Sequence, residues 1–220
     1  MGFLMPPLRD LGRIQEYWHN SRLSRRKIQE FLQTPNLVTE IANAPDLEVT
    51  KGSLEFDNVS FNSILNQIKA KAEPGQTIAL VGSNGAGKST LLSLAARLID
   101  PEGGSIYIDG QDISAYSLAS LRRNIGMASP DLPLLRGSVG RNLRYRYPKA
   151  DEEEITRVWQ LCEIDQLLGE LPQGEKTKIA EGGKGLSTGQ RQRITLARAI
   201  LGKPKILLLD ENYVAMNSNE

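Results

Sequence analysis

A chain of 220 residues has room for one α/β domain and an appendage. A net charge of +1 argues against a general nucleic-acid binder, and 40% hydrophobic residues argue against wholesale disorder. One cysteine, Cys162, excludes an internal disulfide and a cysteine metal cluster, and no apolar run is long enough to span a membrane.

Residues 1–33 open with Pro6-Pro7 and then predict a helix from about Leu8 to Leu32, with a broken apolar stripe of Leu11, Ile14, Trp18, Ile28 and Phe31/Leu32. Arg22, Arg25, Arg26 and Lys27 form a basic cluster on it, which reads either as a solvated face or as a helix just cytoplasmic of a membrane. Residues 34–52 contain Pro35, Asn36, Pro45 and Asp46 with no clear period and read as a linker. Ser53 to Phe61 alternates as a strand does, and Ile64 to Ala72 predicts a second.

Thr77-Ile78-Ala79-Leu80-Val81, short, apolar and β-branched, predicts a buried strand. It runs into Gly82-Ser83-Asn84-Gly85-Ala86-Gly87-Lys88-Ser89-Thr90, which fits the P-loop pattern G-x-x-x-x-G-K-[ST], and then into a helix-forming run from Leu91 to Leu98. Glycines let several backbone N–H groups face one anion, and the helix start adds unpaired donors and its positive dipole end. Lys88 brings a point charge to the β/γ-phosphates of a nucleotide, and the Ser89 hydroxyl is suited to Mg²⁺.

Downstream, residues 105–110 predict a strand ending in the turn Asp109-Gly110, 117–124 a helix, 125–128 a strand and 151–168 a helix. Leu186-Ser187-Thr188-Gly189-Gln190 opens a helix that continues to about Leu201, and Lys203-Pro204 breaks it. Ile206-Leu207-Leu208-Leu209 then reads as a buried strand that ends in Asp210-Glu211.

A P-loop, then L-S-x-G-Q at a helix start, then an apolar strand ending in Asp-Glu: over residues 53–220 the chain resembles the ATP-binding cassette (ABC) transporters. The resemblance implies an α/β P-loop NTPase core with a small antiparallel β-subdomain and a helical subdomain inserted at about 115–189, all preceded by the N-terminal helix. It implies ATP and Mg²⁺ as cofactors, bound by Gly82 to Thr90 with Ser89 and Asp210 holding the metal. Physical chemistry agrees: a carboxylate at a strand end can hold Mg²⁺, and Glu211 beside it can orient or deprotonate the attacking water. Ser187, Gly189 and Gln190, at a second helix start, would serve the nucleotide of a second ATP-binding domain in a head-to-tail dimer.

Residues 1–33 are similar to the cytoplasmic end of the last transmembrane helix in exporter-type members, and Glu181-Gly182-Gly183 to the loop that touches their membrane domain. The expectation is therefore an ATPase fused to a membrane-spanning domain at the cytoplasmic face of the inner membrane, with no nucleic-acid partner. Alternatives are a weakly hydrolysing partner subunit and a soluble ATPase of the same class.

The chain departs from the family pattern at several positions. Pro130 fills a slot where glutamine is usual, with Asp131 as a possible substitute; Thr188 replaces a glycine; and Ser63 stands where a tyrosine would stack on adenine. The resemblance also places further elements after residue 220, including a strand with a histidine, so the chain reads as a fragment; His19 lies in the wrong segment for that role.

Overall fold

A computed structural model describes residues 5–33, 38–130 and 132–210. It separates into two units, residues 1–37 and 38–220. The first is the helix α1 (Met5–Gln33), on which Tyr17, Trp18, Ile28 and Phe31 are exposed and Arg26 pairs with Glu30 one turn on. No helix among the described residues is long and apolar enough to cross a membrane.

The second unit has two apolar cores. An antiparallel sheet, ordered β2-β1-β3-β4, is built from β1 (Leu54–Phe61), β2 (Leu65–Ala72), β3 (Gly103–Ile108) and β4 (Gln111–Asp112). Its inner side chains Leu54, Phe56, Val59, Ile106 and Ile108 pack with Leu91 and Leu94 of α2 (Lys88–Ala95) and with Leu121 of α3 (Leu118–Asn124). The strand β5 (Ile125–Ala128) and the strand β8 (Ile206–Leu209), paired in parallel from Ile125↔Ile206 to Ala128↔Leu209, add Ile125, Ile206 and Leu208 to this core.

The second core is made by residues 134–201: the short pair β6 (Gly137–Ser138) and β7 (Lys178–Ile179), with α4 (Val139–Leu143), α5 (Glu152–Leu161), α6 (Ile164–Glu170) and α7 (Thr188–Ile200). Val139, Leu143, Ile164, Leu167 and Ile194 are fully buried there. Cys162 lies in this core too, where burial pushes its thiol up to about 11 and leaves it unreactive. The single helix expected over 151–168 is two, because Glu163 takes a left-handed conformation (φ 53°) and breaks it. The α7 helix meets β5 so closely that a Cβ on Gly126 would stand 2.2 Å from the Ala199 carbonyl oxygen, so only glycine fits.

One expectation fails. Residues 77–81 do not form a strand, and they are not buried: Ile78, Leu80 and Val81 are exposed, Val81 at 93%. The physical reason is that a strand needs a ladder partner for its N–H and C=O groups, and no described segment pairs with 77–81. The same openness marks β8, where Ile206 and Leu208 face the core while Leu207 and Leu209 are exposed.

The stretch read as a linker has no helix or strand from 38 to 52. It is nonetheless tied down. Leu47 is buried, its N–H donates to Ser120 Oγ, and the Thr39 carbonyl accepts from the buried Arg97. Its end is held by Asp109, at the β3–β4 turn, whose carboxylate accepts the backbone N–H groups of Thr50, Lys51, Gly52 and Ser53 at 2.8–2.9 Å. Partial burial pushes this carboxyl up, but the four donors outweigh it and hold it well below the usual carboxylate range. A lowered folded-state pKa supplies stability above the ordinary carboxylate value, about 4, and loses it as pH falls further. Denaturant unfolding at stepped pH should therefore show wild type losing stability below about pH 4 more steeply than Asp109→Asn. Parallel curves would remove Asp109 as the latch.

Candidate functional site: a P-loop beside a buried carboxylate

Residues 82–87 form an irregular loop, with the Ala86 N–H donating to the Ser83 carbonyl, and α2 begins at Lys88. The α2 N-cap is Gly87 in a left-handed conformation (φ 87°), and no side chain caps the helix. The first-turn N–H groups of a helix, with its positive dipole end, suit an anion. Lys88 Nζ donates to the carbonyls of Gly82 and Ser83, each at 3.0 Å, and so closes the loop on itself.

Ser89, second in α2, donates its hydroxyl to Asp210 Oδ1 at 2.8 Å. These two residues lie 121 positions apart in the chain, and the two sequence motifs are joined through this bond. Asp210 is 7% exposed, and its N–H donates to the Ala128 carbonyl, continuing the β5–β8 ladder by one step. Glu211 and Asp131 lie outside the described residues.

Ser187 and Gln190 are engaged with each other. The Ser187 hydroxyl accepts from the Gln190 N–H, and the Gln190 side chain accepts from the Ser187 N–H, a capping box that starts α7. Thr188 Oγ1 accepts from Arg191, and around Gly189 an added Cβ would meet open space. The loop Glu181–Gly183 is tied to the second core, with the Gly182 N–H on the Leu134 carbonyl. His19 is exposed on α1.

Two residues near the P-loop escaped the sequence reading. Ser129 directly precedes Pro130; it is 2% exposed and donates its hydroxyl to Asp210 Oδ2 at 3.1 Å. The signal was available in principle, since β5 and β8 are parallel and end level, which brings residues 129 and 210 side by side. Ile64 is the other. The tight β1–β2 turn, with Asn62 and Ser63 both at positive φ, carries Ile64 onto Gly87, where an added Cβ would stand 2.8 Å from Ile64 Cγ2.

Hydroxyl and carboxylate oxygens are hard donors, the kind Mg²⁺ prefers, and Ser89 and Asp210 present one of each beside a loop suited to phosphate. Among the described residues there is no cluster of three or more His, Cys, Asp or Glu side chains for a metal that needs softer or denser ligation.

Comparison with known proteins gives the family. The family model for the ABC transporter matches residues 65–214. The heavy metal tolerance protein of Schizosaccharomyces pombe is 38% identical over 98% of this chain, and human ATP-binding cassette sub-family B member 6 is 37% identical over 99% of it. The chain spans 27% and 26% of those proteins, and 37% of the Bacillus subtilis ABC transporter ATP-binding protein YknV, to which it is 36% identical. Among solved structures, a bacterial Atm1-family ABC exporter with ATP bound superposes with a TM-score of 0.81 at 34% identity, covering 98% of this chain and 38% of that one. The fold is accordingly that of a P-loop NTPase, and the chain belongs to the ABC transporter family, of which it carries the ATPase domain.

Proposed function

We propose that this chain binds MgATP through Gly82 to Thr90 and hydrolyses it, and that hydrolysis drives transport, in the export direction, by a membrane protein of which the chain is one part. The observation that carries the reading is the Ser89–Asp210 hydrogen bond, which puts a hydroxyl and a carboxylate together next to Lys88. In it, Lys88 stabilises charge on the transferring phosphoryl group, Ser89 and Asp210 hold Mg²⁺, and Glu211 handles the attacking water. The metal, when bound, neutralises charge on the phosphate oxygens.

The finer assignments belong to the same proposal. The sheet β1–β4 is the small β-subdomain, the helical subdomain is the insertion at about 115–189, and 1–33 continues from a fused membrane-spanning domain. Ser187, Gly189 and Gln190 face the nucleotide of a second ATP-binding domain packed head to tail, and the assembly sits at the cytoplasmic face of the inner membrane without a nucleic-acid partner. Support comes from relatives that are transporters and from the exporter whose ATP-bound structure superposes over nearly the whole chain. A second reading, a partner subunit that binds ATP and hydrolyses it slowly, is favoured by Pro130, which has no side-chain ligand to offer, and by Thr188.

Calorimetric titration of the 220-residue chain tests the binding step. Saturation by MgATP is expected with a Kd below about 1 mM, within the ordinary range for enzyme substrates. Chelation of the metal by EDTA should weaken the interaction. A chain that shows no saturable ATP binding in the millimolar range is not a nucleotide-binding domain.

A further inference from the structure

We propose that the Ser129 hydroxyl is the positioning group that fixes the Asp210 carboxylate for the metal ion of the nucleotide site. The inference rests on the MgATP reading above.

Both oxygens of Asp210 are engaged, by hydroxyls from two unconnected parts of the chain. Ser89 donates to Oδ1 at 2.8 Å from the first turn of α2, and Ser129 donates to Oδ2 at 3.1 Å from the residue after β5. The two attachments differ in what they are anchored to. Ser89 belongs to the P-loop helix, whose N-terminus is built to meet a ligand. Ser129 is buried at 2% exposure and follows a strand whose last residue, Ala128, is paired with Leu209 and accepts the Asp210 N–H. Ser129 and Asp210 are therefore held to one frame by backbone bonds, and the hydroxyl–carboxylate contact is part of that frame.

A metal ion that takes the Ser89 oxygen as a ligand alters the bond Ser89 makes to Asp210. The bond from Ser129 can persist, because it lies on the other carboxylate oxygen. The Ser129 bond is thus the one that can hold the side-chain torsion of Asp210, and with it the place of Oδ1, while Ser89 meets the metal. Metal-ligating carboxylates are commonly oriented by a hydrogen bond from a group that does not itself touch the metal, and removing that group typically costs 10–100-fold in metal affinity. The neighbouring position strengthens the case: Pro130 contributes no side-chain donor or acceptor.

The experiment uses Mn²⁺ as the probe. Free Mn²⁺ is measured by electron paramagnetic resonance while the 220-residue chain, saturated with a non-hydrolysable ATP analogue, is titrated. Ser129→Ala should weaken Mn²⁺ binding about tenfold or more. Binding of the analogue in EDTA should match the parent, and Ser129→Thr should restore Mn²⁺ affinity. Mn²⁺ affinity within about twofold of the parent overturns the proposal, since it falls well short of the loss expected for an orienting partner. Equal loss in EDTA overturns it too, because it marks a general structural role. Should Ser129→Ala not fold, Ser129→Cys keeps the shape with a weaker donor and is read the same way. If the parent chain binds no analogue even in EDTA, the ATP reading itself has failed and this inference falls with it.

Discussion

Replacement of Glu211 by glutamine is expected to lower ATP turnover by about 10²–10⁴-fold while MgATP binding survives, the range for loss of a positioned acid or base. Glutamine keeps the size and polarity of the side chain and removes its basicity. Glu211 directly follows Asp210, which the structure ties to Ser89 of the P-loop helix, so the next carboxylate in the chain is the nearest by sequence to a metal held there. Single-turnover phosphate release, run beside equilibrium binding, separates the two effects. Trapped nucleotide with stalled release is the predicted signature. Turnover within about twofold of the parent would show that no transition-state interaction was lost. The base would then have to be sought elsewhere, with Asp131 first.

Lys88→Ala carries the second large effect, on binding. Hydrogen bonds from a charged group are each worth about 1.5–3 kcal/mol, so MgATP affinity should fall about 10- to 100-fold. The structure adds a second reason. Lys88 Nζ also holds the Gly82 and Ser83 carbonyls, and so closes the P-loop upon itself. Removing it takes away both a charge for the phosphates and a tether that keeps the loop compact. Superimposable MgATP titrations of parent and variant would end the P-loop assignment. A fall in the nucleotide-free melting temperature would measure the tether on its own.

Much of this was legible before any coordinates. The P-loop, the strand ending at Asp210 and the helix starting after Ser187 are local patterns, set by a few consecutive residues, and each appears where the pattern puts it. What was misread depended on neighbours. Residues 77–81 have the composition of a buried strand, but composition cannot say whether a ladder partner is present. Asp109 looked like an ordinary turn residue, and its grip on residues 50–53 spans more than 50 positions. The contact of Ser129 with Asp210 exists only because two strands far apart in sequence end at the same level. Arg97 and Arg146 would both be placed on the surface by type. Arg97 is 3% exposed, held by the carbonyls of Thr39, Ile113 and Tyr116, while Arg146 joins the end of α7 to the start of β5, donating to the Leu201 carbonyl and to those of Arg123 and Ile125.

The parallel pairing of β5 with β8 also sets an order of events during synthesis. The strands pair across about 80 residues of chain, and closing a flexible loop of that length costs entropy before any contact repays it. Yet nearly all of the intervening chain is the stretch 134–201, which among the described residues builds an apolar core from its own side chains. That stretch emerges from the ribosome complete before Ile206 does, and it can condense at once. Once condensed, it turns a long floppy loop into a short rigid connector, and it sets β8 down beside β5. On this order the helical piece would act as an internal jig for the strand that carries Asp210, and pulsed hydrogen exchange during refolding should then protect the amides of α5 and α6 before those of β8.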